Sequence, residues 1–297
     1  MNFYNAIDTI LAKDLNVHTL GMFFKDTTTL HYFHENKKYD IRSLSKTVMT
    51  LILSLVVEKT DLTLESYVYP IIKDKITLNN EKNLAYLNQI QIKHCLNHTL
   101  GFDRVLLMRQ DIKHLQGDEF LNYLLNEPLI HKPGSHYLYS NAGFYLLSAV
   151  LENYLDEGFL SFAYEYFFKP LNITDYKWES YGPYCAGATR LWLKANDLMK
   201  IAKVLLQQED TLISSSWIEM MKTITTLTPK QDTPGHKLRR YAYGQGIWLS
   251  KEDGIFFAHG TDSQMLIIVP QQQLIFLAQS DHRNLSDVES IINDLLI

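Results

Sequence analysis

Strand-like runs crowd the two ends of this chain, and a long, mostly helical stretch separates them. Val17 to Lys25 and Thr28 to Phe33 are rich in β-branched and aromatic residues with a short polar turn between them, which predicts a hairpin. Toward the other end, Tyr243–Leu249, Ile255–His259, Met265–Val269 and Leu274–Ala278 follow one another across short turns, as the strands of an antiparallel meander do. From Leu62 to about Leu193 the spacing is mostly helical, with few strand-like runs. Isolated hairpins are barely stable, so the two ends are expected to build one antiparallel sheet, flanked by helices, with the helical stretch inserted. The fold class is α+β. Residues 1–60 and 186–297 form the expected sheet region and 61–185 the helical region. An amphipathic helix opens the chain, and another, Ser286 to Leu296, closes it.

The chemistry is concentrated where the hairpin hands over to a helix, at Arg42-Ser43-Leu44-Ser45-Lys46-Thr47. Val48, Leu51, Ile52, Leu55 and Val56 recur at helical spacing with small or apolar residues between them, so this helix is expected to be enclosed on most sides. Ser43 falls near its N-terminus, where unpaired N–H groups and the helix dipole favour an alkoxide or an oxyanion. Lys46 lies one turn on, and a lysine between buried walls loses its preference for the charged form, which suits it to accept a hydroxyl proton. An N-cap serine beside a surface lysine gives the same letters, and Ser-x-x-Lys arises on the order of once by chance in a chain this long. The neighbouring blocks have to decide.

Several do bear on it. Ile92 to Phe102 reads as a short helix closed by a glycine C-cap at Gly101, with His98 a structural histidine bonded to nearby backbone. Gly117-Asp118-Glu119 supplies a capping acid for a helix through Leu125. Pro133-Gly134 marks a turn, and apolar spacing after Asn141 marks a helix, which puts Tyr139 and Asn141 in the loop before it. A second Tyr-x-Asn at Tyr86–Asn88 lacks that context. Further helices are expected through Asn196–Ala202 and from Ser215 to about Ile224, followed by a polar loop from Thr228 to Arg240 as the mobile insertion.

Composition removes other function classes. With 46% hydrophobic and 21% charged residues, the 297-residue chain can bury a real core, and a net charge of -5 gives no basic footprint for nucleic acid. Cys95 and Cys185 lie far apart without metal-like spacing and read as buried thiols. The eleven histidines show no His-x-x-x-His or similar pair with carboxylates, so neither a metal nor another cofactor is expected. The first residues lack a basic n-region and a continuous apolar h-region, and the apolar run Leu51–Val57 is too short to span a bilayer; a cytoplasmic protein is expected.

Taken together, the blocks resemble the serine β-lactamase and penicillin-binding-protein superfamily, in particular its class C β-lactamase-like branch of β-lactamases, D-aminopeptidases, DD-peptidases and esterases. Ser43-Leu44-Ser45-Lys46 is similar to the first motif and Tyr139-Ser140-Asn141 to the second, framed by Pro133-Gly134 and Gly143-Phe144. His259-Gly260-Thr261 stands where the family has Lys-Thr-Gly or His-x-Gly; His98-Thr99-Leu100-Gly101 resembles His-Thr-Ser-Gly, and Pro170-Leu171-Asn172-Ile173 resembles Pro-Leu-Gly-Met. The resemblance runs from about residue 17 to the end. Two departures stand out: Thr261 replaces a glycine where the strand approaches the acyl group, and Asn172 replaces a glycine at a position that tolerates positive φ.

The resemblance implies a β-lactamase/DD-peptidase-like fold and acyl transfer through Ser43. Lys46 and Tyr139 share its proton, and Asn141, His259, Gly260, Thr261 and Asp262 bind substrate, with the N–H groups of Ser43 and Asp262 as the oxyanion hole. Tyr139 then needs neighbouring positive charge, since a phenol is unperturbed near about pH 10. The implied substrate is a small ester, amide or peptide; nucleic acid and a membrane span are not implied. Three functions fit: an ester or amide hydrolase, the same chemistry on D-amino-acid peptides or β-lactams, or a non-catalytic sensor on the same fold. Retention of Ser43, Lys46, Tyr139 and Asn141 together argues against the sensor. A histidine at 259, neutral at pH 7 when unperturbed, argues against tight binding of a penicillin carboxylate.

Overall fold

The computed structural model describes residues 2–117, 119–207, 212–228, 237–238, 240–252 and 254–296. The chain divides into two compact units. One holds residues up to Val48, Asp175–Lys177 and everything from Leu191 on; the other holds Met49–Thr174 and Trp178–Arg190. The division falls inside the helix Leu44–Lys59.

The first unit is built on the strands β1 (Val17–Phe24), β2 (Thr27–Tyr32), β3 (Tyr39–Asp40), β4 (Leu191–Leu193), β5 (Thr226–Leu227), β6 (Ala242–Tyr243), β7 (Trp248–Leu249), β8 (Phe256–Gly260), β9 (Gln264–Val269) and β10 (Leu274–Ser280). Eight of them form one sheet in the order β2-β1-β10-β9-β8-β7-β6-β5. Every pairing is antiparallel, so hairpin and meander meet where β1 pairs with β10, Leu20 opposite Ala278 and Phe23 opposite Ile275. Every residue of β9 and β10 is buried. That is why these strands read as unbroken apolar runs rather than as alternation: helix Ala195–Leu206 packs on β1, β9 and β10, and helix Phe3–Ala12 packs on β1 and on helix Leu285–Asn293. Ile267, Ile275 and Leu277 are wholly buried there, and truncating any of them to alanine costs about 2–5 kcal/mol.

The second unit is organised on helix Ala142–Tyr154, buried without interruption from Ala142 through Leu151. Gly143 lets it touch helix Ile92–Leu96, since a Cβ at that position would stand 2.3 Å from the Cys95 carbonyl oxygen. Helices Tyr69–Ile72, Glu119–Asn126 and Phe159–Ala163 pack around it. Both cysteines are buried and unbridged, as their spacing suggests. Asn172 takes the left-handed φ of 51° expected of a residue standing in for glycine.

Some boundaries differ from the sequence-based expectation. Tyr243–Leu249 is not one strand but two, β6 and β7, because the chain folds back at Gly244–Ile247, where Gly244 lies so close to the Met221 carbonyl that a Cβ would be 2.0 Å from it. The helix Ile92–Leu96 is not closed by Gly101: Asn97 caps it and His98 takes the left-handed conformation, φ 59°. Gly101 is required for another reason, the close passage of the His131 carbonyl. The capping acid Asp118 and most of the polar loop at 228–240 lie outside the described residues. Among the described residues, no helix is long and apolar enough to cross a membrane.

Candidate active site

Ser43 occupies an elbow between β3 and the helix Leu44–Lys59. Arg42, just before it, has φ 52°, a left-handed conformation that non-glycine residues adopt at a cost. Asp40 holds it there: its carboxylate accepts the Arg42 backbone N–H at 2.9 Å and Nη1 at 2.7 Å. The helix starts at once, with the N–H of Leu44 donating to Ile41 and that of Ser45 to Arg42. Ser43 keeps partial exposure, whereas Ser45 is wholly buried with its Oγ donating to the Arg42 carbonyl at 2.6 Å. Of the two serines, only Ser43 retains any exposure.

Lys46 is 1% exposed and its Nζ lies 3.1 Å from Ser43 Oγ. Burial pushes its pKa down to about 7. Near neutral pH a large fraction of this amine is therefore uncharged and able to take a proton from the hydroxyl it already contacts. Thr47 fixes the same turn of helix, its hydroxyl donating to the Gly246 carbonyl at 2.8 Å.

The third block lies at the end of β8. A Cβ on Gly260 would stand 2.9 Å from Arg42 Cβ and 3.1 Å from the Ile41 carbonyl, so the glycine lets the strand end pass against the serine elbow. Thr261, the next residue, is exposed. Asp262 and Ser263 follow with φ of 60° and 62° and turn the chain into β9. Asp262 is tied back to the elbow, its carboxylate 3.0 Å from Arg42 Nη2, and Asp281 adds a longer contact of 3.5 Å. His259 retains some exposure as a residue, but its Nε2 is buried and has no hydrogen-bond partner among the described residues. Burial, reinforced by the nearby positive charge of Arg240, lowers its pKa to about 3, so the ring is neutral at pH 7.

In the second unit, Tyr139 is partly buried with its ring 4.4 Å from that of His98, which also lies edge-on to Tyr137 at 6.1 Å. Ser140 lies two residues before helix Ala142–Tyr154, its Oγ accepting from the Ala142 N–H at 3.2 Å. Asn141 donates an amide proton to the Leu107 carbonyl at 2.8 Å, and its backbone N–H donates to Leu106. The second block is thus a pinned loop presenting one aromatic hydroxyl and one carboxamide.

A profile of the Beta-lactamase family matches residues 13–295. The chain belongs to that family. Solved structures agree on the fold. A penicillin-binding protein from Bacillus halodurans superimposes with a TM-score of 0.75 at 17% identity, covering 98% of this chain and 99% of its own. The octameric penicillin-binding protein homologue from Pyrococcus abyssi gives 0.78 at 15% over 100% and 78% of the two chains. EstCE1, a hydrolase with promiscuous acyltransferase activity, gives 0.73 at 14% over 98% of each. No curated protein matches the chain.

Within this β-lactamase-family serine hydrolase fold, three residues near the elbow escape a reading of motifs: Arg42, Asp40 and Asp281. Arg42 and Asp40 flank the first motif and could have been suspected from the adjacency of an acid and a base there. Asp281 is brought in by β10 alone, and carries no local signal.

Proposed function

We propose that this chain is a serine hydrolase that cleaves an ester or amide through a covalent acyl-serine on Ser43. One observation carries the reading: the hydroxyl of a partly exposed serine 3.1 Å from a buried lysine whose pKa is lowered to about 7. As Ser43 Oγ attacks the carbonyl carbon, the Lys46 amine takes its proton, and the C=O π pair moves onto oxygen. The oxyanion forms at the start of a 16-residue helix, where the Ser43 N–H is assigned to it together with the Asp262 N–H. Collapse expels the leaving alkoxide or amine, which takes the proton back, and water then repeats the sequence to release the acid. Tyr139 is assigned a share of the proton transfer, and Asn141, His259, Gly260 and Thr261 substrate contacts, on the strength of the motifs they occupy.

The neutral His259 favours an uncharged acyl donor over one with a carboxylate, which places ester or small amide hydrolysis ahead of penicillin or D-peptide cleavage. Incubation with a fluorophosphonate and, separately, with a fluorescent penicillin, followed by intact mass, tests the reading. Stoichiometric labelling by the first with slow labelling by the second is expected. Lack of any fluorophosphonate adduct would remove the acyl-serine mechanism.

A further inference from the structure

We propose that Asp103, His131 and His136 form a binding site for a divalent transition-metal ion of the zinc type. This site lies apart from the serine chemistry and does not rest on it. One ligand atom from each of the three side chains lies within 4.8 Å of the other two. His131 Nε2 and Asp103 Oδ1 are already 3.2 Å apart. A tetrahedral ion with bonds of about 2.0–2.1 Å spaces its ligand atoms about 3.3 Å apart, so this pair occupies one edge of such a site without rearrangement. The His136 ring stacks on that of His131, centroids 4.0 Å apart. His136 is partly exposed, and one of its ligand atoms lies within 4.8 Å of those of both other residues.

The backbone holds the three residues in register independently of any ion. The Gly101 carbonyl accepts the N–H groups of both Ile130 and His131, at 3.0 and 2.9 Å, and Phe102 bridges to Leu129. Gly101, at φ 108°, is the residue that allows this, because a Cβ there would meet the His131 carbonyl oxygen at 2.2 Å. Asp103 is thereby set opposite His131. The turn Lys132–Ser135 is closed by the Ser135 N–H and Oγ on the Lys132 carbonyl, and Gly134 donates to Thr99 at 2.8 Å, which returns His136 to the same side. Backbone that already sets the three side chains close together lowers the chain entropy lost on coordination.

The donor set selects the ion. Two imidazoles and one carboxylate suit zinc and its first-row neighbours, and leave one position for water or a small anion; magnesium and calcium prefer all-oxygen shells. Spacing alone does not reveal the site, because the two histidines sit across a turn rather than on one helix face and the aspartate comes from another segment.

The test is equilibrium dialysis and calorimetry of the full, untagged chain with ZnCl2 after chelator treatment, and Co2+ titration followed by its d–d absorption. One equivalent should bind with a Kd in the micromolar range, with tetrahedral cobalt intensity, and with no competition from millimolar Mg2+. His131→Gln, His136→Gln and Asp103→Asn should each weaken binding at least tenfold, whereas His114→Gln, a histidine outside the cluster, should leave it unchanged. Circular dichroism of each variant reports folding. Binding that persists undiminished in folded His131→Gln and His136→Gln, or failure of the wild type to bind one equivalent, would overturn the proposal. None of these readouts depends on turnover at Ser43.

Discussion

Arg42 Nη2 and Asp262 Oδ2 lie 3.0 Å apart, so one guanidinium joins the residue before the candidate nucleophile to the turn after β8. Its other nitrogen is on Asp40 at 2.7 Å, and Asp281 lies 3.5 Å away. The two N–H groups assigned to the oxyanion belong to Ser43 and Asp262, the residues this clamp spans. Oxyanion donors are worth most when fixed in advance, and a shift of about 1 Å costs on the order of a hundredfold in rate.

Arg42→Gln should therefore lower kcat/KM for a small ester by tenfold or more through kcat, with KM little changed, while circular dichroism stays native. Arg42→Lys should rescue little, because an ammonium cannot span two carboxylates as a planar fork does. An Arg42→Gln enzyme with unchanged kcat would show that the clamp serves stability alone.

Ser43→Ala should abolish fluorophosphonate labelling and lower turnover by several orders of magnitude, with the fold intact. Ser45→Ala should keep its label, since that hydroxyl is buried on the Arg42 carbonyl. A peptide map placing the adduct on Ser45 would refute the assignment.

Lys46 couples activity to stability. Its folded pKa lies at about 7, below the value of 10.5 for a free lysine. Between those two pH values the unfolded chain holds a proton that the folded chain releases, so wild-type stability rises with pH across that window; below it the full cost of a buried ammonium is felt. Lys46→Met should be more stable than wild type at pH 6, by on the order of 1–3 kcal/mol, with the gap closing as pH rises. Wild-type kcat/KM should climb to a plateau above about pH 7. Denaturant titrations at several pH values decide this, and a methionine variant less stable than wild type throughout would show that the amine's contacts outweigh its desolvation.

Lys46 and Tyr139 should act as one proton-transfer unit. Single and double substitutions, Lys46→Met and Tyr139→Phe, should then be strongly non-additive in rate. Additive losses would mean separate roles.

His259, with its pKa lowered to about 3, should add no inflection of its own to the ester pH–rate profile between about pH 5 and about pH 9, so the rise set by Lys46 should keep its midpoint in His259→Gln. Benzylpenicillin should acylate slowly, and His259→Lys should speed that acylation more than ester hydrolysis by restoring a permanent cation. Rapid penicillin turnover by the wild type at pH 8 would raise the β-lactamase reading above the esterase one.

What the sequence reveals follows from how local the signal is. The β1–β2 hairpin, the β8–β10 meander and the Ser43 helix are legible because period and turn chemistry act over a few residues. The break between β6 and β7 is not, since it depends on Gly244 meeting the Met221 carbonyl. Nor is the end of helix Ile92–Leu96 at Asn97 and His98, nor the need for a glycine at 101, which comes from the passage of the His131 carbonyl beside it. The motif serine, lysine and histidine can be picked out by resemblance. The carboxylates that organise Arg42 cannot all be found this way: Asp262 follows the third motif, but Asp281 arrives from the end of β10, far along the chain.

Strand β1 lies between β2 and β10, one edge joined to a near neighbour in sequence and the other to the last strand of the sheet. During synthesis the hairpin leaves the ribosome early, with Leu20 and Phe23 in it and one row of N–H and C=O groups open. At cellular elongation rates it waits on the order of tens of seconds for its second partner. An open apolar edge held that long is the part of the chain that pairs with other copies. Yield on overexpression should therefore depend on translation speed, temperature and chaperone supply.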